Sequence, residues 1–215
     1  ENAGTATFRR QPTFYERFVL EQELPVVQGI GVYDVRELPL KAWKRLGGKG
    51  TFIQLDGTGN VTGMYVLEVP AAGALLAERH IYEERLLVIE GRGTAEVWSD
   101  NDPDKQVFEW QAGSLFSFPV NTWHQLVNAA SSPALVLGVT TAPIVINLFP
   151  NADFIFNNPF EWNDRFDARR DFFKPKDGFV EHNEQLGRAM FSTNLIPDIV
   201  NCFLPVDNVR VPGYR

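Results

Sequence analysis

The chain has 215 residues, of which 44% are hydrophobic and 13% aromatic, and its formal net charge is −7. This length suits one sizeable domain, or a domain with long appendages, and supplies enough apolar residues for a real core. An acidic chain with a pI near 5.0 disfavours nucleic acid or an anionic membrane as the main partner, because both select a basic surface. The composition therefore favours a protein that acts on a small molecule.

The chain contains a single cysteine, Cys202, which cannot form an internal disulfide. We find no apolar run long enough to cross a bilayer, and the first residues, ENAGTATFRRQ, lack the apolar core of a signal peptide. These features together predict a cytoplasmic protein without a membrane partner.

Residues 1–50 are interpreted as an N-terminal extension with short elements. A short helix within PTFYERFVLEQELP would stop at Pro25. The stretch LPLKAWKRLGGKG, which begins at Leu38, is compatible with one or two helical turns that its glycines end. The GGKG at residues 47–50 is interpreted as a loop.

Residues 51–142 consist of short runs of apolar and β-branched residues, each bounded by Gly, Pro, Asn or Asp. The expected strands are TFIQL, GMYVLEV, ALLAERHIY, RLLVIEGRGTAEVW, QVFEW, SLFSFP, WHQLVNA and ALVLGVT. So many short strands with tight turns and almost no helical pattern predict an all-β sandwich or barrel.

Residues 143–215 are rich in Phe, Asn and Asp and show no regular hydrophobic period. We interpret them as an irregular C-terminal extension. So much aromatic surface must pack on the barrel, on a second chain or on an absent domain.

The chemistry of the chain is concentrated in AERHIYEERLL, which contains Glu78, His80 and Glu84, and in FPVNTWHQLVN, which contains His124. In one unbroken strand Glu78 and Glu84 would be roughly 20 Å apart, too far to touch one ion, since a strand rises ~3.3 Å per residue. We therefore expect the chain to turn at residues 81–83, so that His80 ends one strand and Glu84 begins the next. With His124 from the later hairpin, two imidazoles and a carboxylate form the facial arrangement of non-haem iron sites.

These stretches resemble the two sequence motifs of the cupin superfamily, G(X)5HXH(X)3,4E(X)6G and G(X)5PXG(X)2H(X)3N. The first motif is matched by Glu78, Arg79, His80, Glu84 and Gly91, with Gly73 one residue closer than the pattern requires. The second motif is matched by Gly113, Pro119, His124 and Asn128, with Asn121 in place of the glycine. Two spaced motifs in the right order make the resemblance specific.

The resemblance implies a cupin-type antiparallel jelly roll, with a divalent metal ion in its mouth held by His80, Glu84, His124 and Glu78. Glu78 stands where the family has the first histidine of its HXH pair. A second carboxylate favours Fe(II), with Mn or Zn as alternatives. Glu78 could instead lie outside the metal shell and act as a general base.

Further residues are assigned to a substrate pocket. Tyr82 or Gln54 would orient a substrate, Tyr82 being a catalytic candidate beside Glu78. The candidate pocket residues are Gln54, Tyr65, Phe118 and Gln125. Core packing is the alternative role for the aromatic residues, because aromatic strand residues usually stabilise sheets.

Two classes of function remain open. The first is a metal-dependent cupin enzyme, with Fe(II) dioxygenase chemistry on a small chelating substrate as its leading form and Mn- or Zn-dependent isomerase, lyase or decarboxylase chemistry as an alternative. The second is a non-catalytic barrel that binds a small ligand or forms the structural half of a two-barrel protein. The late stretch FSTNLIPDIVNCFL is similar to segments that join two cupin barrels. The expected partner is therefore a second copy of the chain or a second barrel.

Overall fold

A computed structural model describes residues 10–174, 181–183, 188–190 and 193–202. The helices are α1 (Phe14–Glu21), α2 (Ala142–Leu148) and α3 (Ala152–Phe156), with a 3-10 turn at Val35–Glu37. The strands are β1 (Val26–Gly29), β2 (Lys41–Trp43), β3 (Gly48–Leu55), β4 (Gly63–Val69), β5 (Gly73–Ala74), β6 (Glu84–Glu90), β7 (Arg92–Trp98), β8 (Gln106–Gln111), β9 (Leu115–Ser117), β10 (Trp123–Asn128), β11 (Ala134–Thr140), β12 (Glu181–Asn183), β13 (Arg188–Met190) and β14 (Leu195–Ile196).

Most of the strands form two facing sheets. The larger sheet has the order β1, β3, β4, β11, β6, β9, β14, with β2 also paired to β3, and the smaller has the order β5, β10, β7, β8. Neighbouring strands run antiparallel, except that β1 lies parallel to β3. The prediction of an all-β jelly roll is therefore confirmed. None of the helices in the described part of the chain has the length and apolar character that crossing a membrane requires.

The core lies between the sheets, where alternate residues of each strand point inward. In β10 the buried side chains are His124, Leu126 and Asn128, and the residues between them are partly exposed. In β6 the buried side chains include Glu84 and Leu86. Because side chains alternate between the two faces of a strand, His124 and Glu84 point into the same interior as the aliphatic core.

The predicted long strand RLLVIEGRGTAEVW is divided at Gly91, which has a φ of 91°. The segment before it, β6, belongs to the larger sheet and the segment after it, β7, to the smaller. A Cβ at Gly91 would lie 2.5 Å from the Cβ of Ala134, so the crossing between sheets needs a residue without a side chain.

Three local predictions were wrong. The stretch ALLAERHIY is not one strand, because only β5 and a single bridge at Glu78 pair with β10. The stretch from Leu38 is not helical, because Trp43 of β2 pairs with Gly48 of β3 and its ring is buried in the core. Gly48–Gly50 therefore begins a strand and is not a loop. Strand pairing and burial override the weak helical preference of this segment.

The segments outside residues 51–142 contribute to the same core. Strands β1 and β2 extend the larger sheet beyond β3, and β14 pairs with β9 at its other edge. The rings of Phe166 and Phe173 are buried in the main core, where Phe173 stacks on Phe108 at 4.7 Å. Of the possibilities left open for the aromatic C-terminal segment, these residues pack on the barrel.

Candidate metal centre

The two motif segments meet at one end of the barrel. Glu78 and His124 form an antiparallel bridge, in which each backbone N–H donates to the carbonyl of the other at 3.0 and 2.9 Å. The chain bends at Ile81 and Tyr82, and β6 then begins at Glu84. The turn expected at residues 81–83 is therefore present, and it returns Glu84 to the side of His80.

Four ionisable side chains cluster there. One ligand atom each of Glu78, His80 and His124 lies within 4.8 Å of the others, and His124 Nε2 is 4.0 Å from Glu78 Oε1. Glu84 Oε2 is 3.6 Å from His80 Nε2. Both histidines and Glu84 are buried, while Glu78 is partly exposed.

Hydrogen bonds fix the tautomer of both imidazoles. His80 Nδ1 lies 2.9 Å from the carbonyl oxygen of Tyr82, and His124 Nδ1 lies 3.0 Å from that of Thr122. A carbonyl oxygen only accepts, so each Nδ1 carries a hydrogen, and in the neutral form of each ring the lone pair is on Nε2. Both Nε2 atoms are buried without a hydrogen-bond partner. Metal-binding histidines have this arrangement, with the second ring nitrogen donating to a carbonyl or carboxylate.

Aromatic rings hold each imidazole in place. The ring of Tyr82 stacks on His80 with centroids 3.7 Å apart and planes 6° from parallel. The ring of Phe118 stacks on His124 at 4.2 Å and 15°. The imidazoles themselves are 5.1 Å apart and nearly perpendicular, at 79°. Their rotation is therefore restricted before any ligand arrives.

The environment of the cluster lowers the pKa of both Glu84 and His124, which favours the anionic form of Glu84 and the neutral form of His124. Burial alone would raise the pKa of Glu84, but His80, His124 and a 2.6 Å hydrogen bond from the Tyr65 hydroxyl lower it to about 2. Burial, and then the neighbouring His80, lower the pKa of His124. At neutral pH the cluster thus contains an ionised Glu84 and an unprotonated His124, which are the forms that bind cations. Burial also raises the pKa of both Tyr65 and Tyr82, so both phenols stay neutral.

Arg45 is a member of the cluster that the sequence reasoning missed. Its guanidinium donates to Glu78 Oε2, while Oε1 of the same carboxylate faces His124. Burial alone would lower the pKa of Arg45, but nearby carboxylates, Glu78 first, raise it, so the side chain stays charged. The guanidinium also lies 5.2 Å from the ring centroid of Phe156 and 5.9 Å from that of Phe18. No local pattern around Arg45 marks this role, because its partner is 33 residues away.

Aromatic side chains of two helices pack beside the cluster, and the cavity at the cluster is small. Phe18 of α1 and Phe156 of α3 stack at 5.8 Å, and both pack against the apolar group that contains Tyr82. Among the described residues, the cavity that contacts Glu78, Glu84 and His124 has a volume of about 10 Å³. A space of this size holds about one water molecule or one ion. An organic substrate would need this cavity to widen.

The second motif holds the surrounding loops together through Asn121, which has a φ of 62°. Asparagine tolerates this left-handed conformation better than most residues, which explains how it replaces the motif glycine. Its backbone N–H donates to the carbonyl of His80, and its side chain donates to the carbonyls of Asn158 and Phe160. One residue thus connects both motifs to the C-terminal segment.

The predicted pocket residues are divided between two places. Tyr65, Phe118 and Gln125 line the small cavity at the cluster, and Gln125 Nε2 donates to the carbonyl of Leu75 at 2.7 Å. Gln54 lines a separate cavity under α1. Tyr82 lies against His80, as described above.

Comparison with known proteins agrees with this architecture. Residues 65–140 match the family model described as "Cupin domain". This part of the chain therefore matches the cupin domain, as the two motifs indicated. The comparison with curated proteins finds no match.

Several solved structures resemble the fold at low identity. An oxalate decarboxylase of Lactobacillus farciminis is 20% identical, with 50% of this chain and 32% of that chain covered and a TM-score of 0.43. The coconut allergen cocosin is 16% identical, with coverage of 44% and 28% and a TM-score of 0.40. The vicilin of Solanum lycopersicum (tomato) is 17% identical, with coverage of 43% and 28% and a TM-score of 0.38. The chain matches less than one third of the length of each of these proteins.

Proposed function

We propose that this cupin domain binds one divalent cation through Nε2 of His80, Nε2 of His124 and the carboxylate of Glu78, with Glu84 as a further ligand or immediate neighbour. We further propose that the protein is a metal-dependent oxidoreductase of the dioxygenase type, acting on a small organic molecule. Fe(II) is the favoured ion, and Mn or Zn are the alternatives.

The observation that supports metal binding is the pair of buried, unpartnered imidazole nitrogens. A buried polar atom without a partner costs about 1 to 3 kcal/mol, and here two such atoms belong to rings 5.1 Å apart. Their Nδ1 hydrogens are already engaged with carbonyl groups, so only an incoming donor or a cation can satisfy the Nε2 lone pairs. The residues present therefore fit a metal ion.

The donor set supports the choice of ion. Two imidazoles with carboxylate oxygens, and no thiolate, form a borderline to hard site that suits Fe(II), Mn or Zn. Such an ion, when bound with open positions, supplies Lewis acidity and, for iron, redox chemistry with oxygen.

The protein's own residues would prepare this site. The Tyr65 hydroxyl holds one oxygen of Glu84, which leaves the other near His80. Arg45 holds one oxygen of Glu78 and leaves the other toward His124. The neutral Tyr82 phenol, stacked on His80, is the candidate for donating a proton to a bound substrate.

Metal binding is tested on protein purified without chelator, by elemental analysis and by calorimetric titration of the apo form with Fe(II) under anaerobic conditions, Mn(II) and Zn(II). We expect one ion per chain. At a free metal concentration of 100 times Kd, stabilisation should be about 2.7 kcal/mol. That corresponds to a rise in Tm of about 5 to 10 °C for a chain of this length.

Variants identify the ligands. His124→Ala and Glu78→Gln should lose most metal affinity while keeping the circular dichroism of the wild type. Glu68→Gln is the matched control, because Glu68 lies on β4 and pairs with Lys49. An apo protein that binds none of these ions, or a Glu68→Gln variant as defective as Glu78→Gln, would contradict the metal site.

The reaction class needs its own experiment. Oxygen consumption by the Fe(II)-loaded protein is measured against catechols, diketones, thiols and hydroxy acids. Uptake that His124→Ala abolishes supports dioxygenase chemistry. Turnover of a substrate by the Mn- or Zn-loaded protein without oxygen supports the alternative, an isomerase, lyase or decarboxylase.

One observation favours a second candidate, a non-catalytic cupin domain in which the cation has a structural role. The cavity beside the cluster has a volume of about 10 Å³, which is too small for an organic substrate. A bound metal that exchanges over days, together with no oxygen uptake and no turnover, would support this candidate over the enzyme.

A further inference from the structure

A second and larger cavity lies between α1, the β3–β4 hairpin and α2. Its volume is about 490 Å³, within the range of about 300 to 1,000 Å³ that is typical of small-molecule sites. Apolar residues line much of it, including Val19, Phe52 and Pro143. It shares no lining residue with the small cavity at the histidine cluster.

Three polar groups belong to residues that line this cavity and have no hydrogen-bond partner among the described residues. They are the hydroxyl of Tyr15, the side-chain amide of Gln54 and the side-chain NH2 of Asn147. The Oδ1 of Asn147 already accepts from the backbone N–H of Tyr15 at 2.9 Å, so only its NH2 is free. An apolar cavity with a few convergent hydrogen-bonding groups is the usual form of a ligand site.

The Tyr15 hydroxyl lies in space that is open because residue 63 is a glycine. A Cβ at Gly63 would lie 2.6 Å from that oxygen, so a residue with a side chain would displace the ring. Burial raises the pKa of Tyr15 to about 12, and the phenol is therefore a neutral donor and acceptor. Tyr15 also packs in the apolar group that contains Tyr82. The cavity is thus a neighbour of the candidate metal centre on the far side of two tyrosines.

The charge of the lining restricts the ligand. Arg10 and Glu16 are the charged residues that contribute to it, and they pair with each other. An ionised ligand would give up its hydration without gaining a free counter-charge, which is costly in an apolar site. A neutral ligand meets no such cost.

We propose that this cavity is a binding site for an uncharged small molecule with an apolar body and one hydroxyl, carbonyl or amide group. The apolar wall contacts the body of the ligand. Gln54 and Tyr15 hydrogen-bond its polar group. This site does not depend on the presence of a metal ion.

The test uses the full chain without metal and follows binding of benzamide and benzyl alcohol by NMR of methyl-labelled protein. Benzoate and benzylamine are matched charged probes of similar shape. We expect the neutral probes to bind in the millimolar range and to shift the methyl signals of Val19, Leu20 and Val26, which line the cavity. Gln54→Leu and Tyr15→Phe should each weaken benzamide binding about 2- to 10-fold, the effect of one net hydrogen bond.

Gln28→Leu is the matched control, because Gln28 sits opposite Gln54 on β1 and does not line the cavity. It should bind benzamide like the wild type. The proposal is overturned if the neutral probes do not bind, if they shift only methyls elsewhere, or if benzoate binds as well as benzamide. Unchanged binding in both Gln54→Leu and Tyr15→Phe would also overturn it.

Discussion

Tyr65→Phe removes the hydroxyl that holds Glu84. The Tyr65 hydroxyl donates to Glu84 Oε1 at 2.6 Å, and the two residues are 6% and 5% exposed. A buried acceptor that loses its donor costs about 1 to 3 kcal/mol, with charged groups at the upper end. We therefore expect a loss of about 2 kcal/mol in the free energy of unfolding, or about 4 to 8 °C in Tm for a chain of this size.

The assay is urea unfolding followed by circular dichroism, with chelator present so that metal does not contribute. Tyr33→Phe is the matched control, because Tyr33 is fully exposed and its loss should change stability by less than about 0.5 kcal/mol. A double-mutant cycle with Glu84→Gln isolates the pair, and we expect a coupling of about 1 kcal/mol or more. Additive effects of the two substitutions would refute the argument, since independent sites add within about 0.5 kcal/mol.

Two other predictions concern the same region. Gly138→Ala should lower the free energy of unfolding by about 1 to 3 kcal/mol through overpacking, because a Cβ there would lie 2.2 Å from the Tyr65 ring. Urea unfolding measures this loss. An equal loss in Gly31→Ala, where the space around the glycine is open, would contradict the prediction. The pKa of Tyr15, raised to about 12 by burial, means that folding favours the neutral phenol, so its stabilisation is complete below about pH 10 and is lost as the pH rises toward 12. Between about pH 9.5 and 11.5, Tyr15→Phe should therefore lose about 2 kcal/mol less stability than the wild type, whereas parallel losses in both proteins would show that Tyr15 does not titrate in this way.

Most of the strands from Gly63 to Thr140 could be predicted, because each is a short run of apolar and β-branched residues bounded by turn residues. The exceptions are ALLAERHIY, which is not one strand, and RLLVIEGRGTAEVW, which is divided at Gly91. The position of β10 follows from this alternation, which directs His124 and Leu126 inward together. The approach of His80 to Glu84 could also be predicted, because strand geometry requires a turn between them if both are to reach one site.

The surroundings of the cluster could not be predicted in the same way. Arg45 lies in a segment whose local composition suggested a helical turn, and only pairing with β3 places it near Glu78. The stacked pair of Phe18 and Phe156 joins two helices that are far apart in the chain. Such contacts depend on the assembled barrel, and no periodicity in the sequence encodes them.

The part of the chain that packs into the main core is longer than the part that matches the cupin family model. A polypeptide cut to residues 65–140, the extent of the matched cupin domain, would lose the ring of Trp43 from one wall and the rings of Phe166 and Phe173 from another. Without these side chains, apolar core residues between its two sheets would be exposed to solvent and to neighbouring molecules. Fragments for expression or domain grafting therefore have to begin before β1 and continue past Phe173.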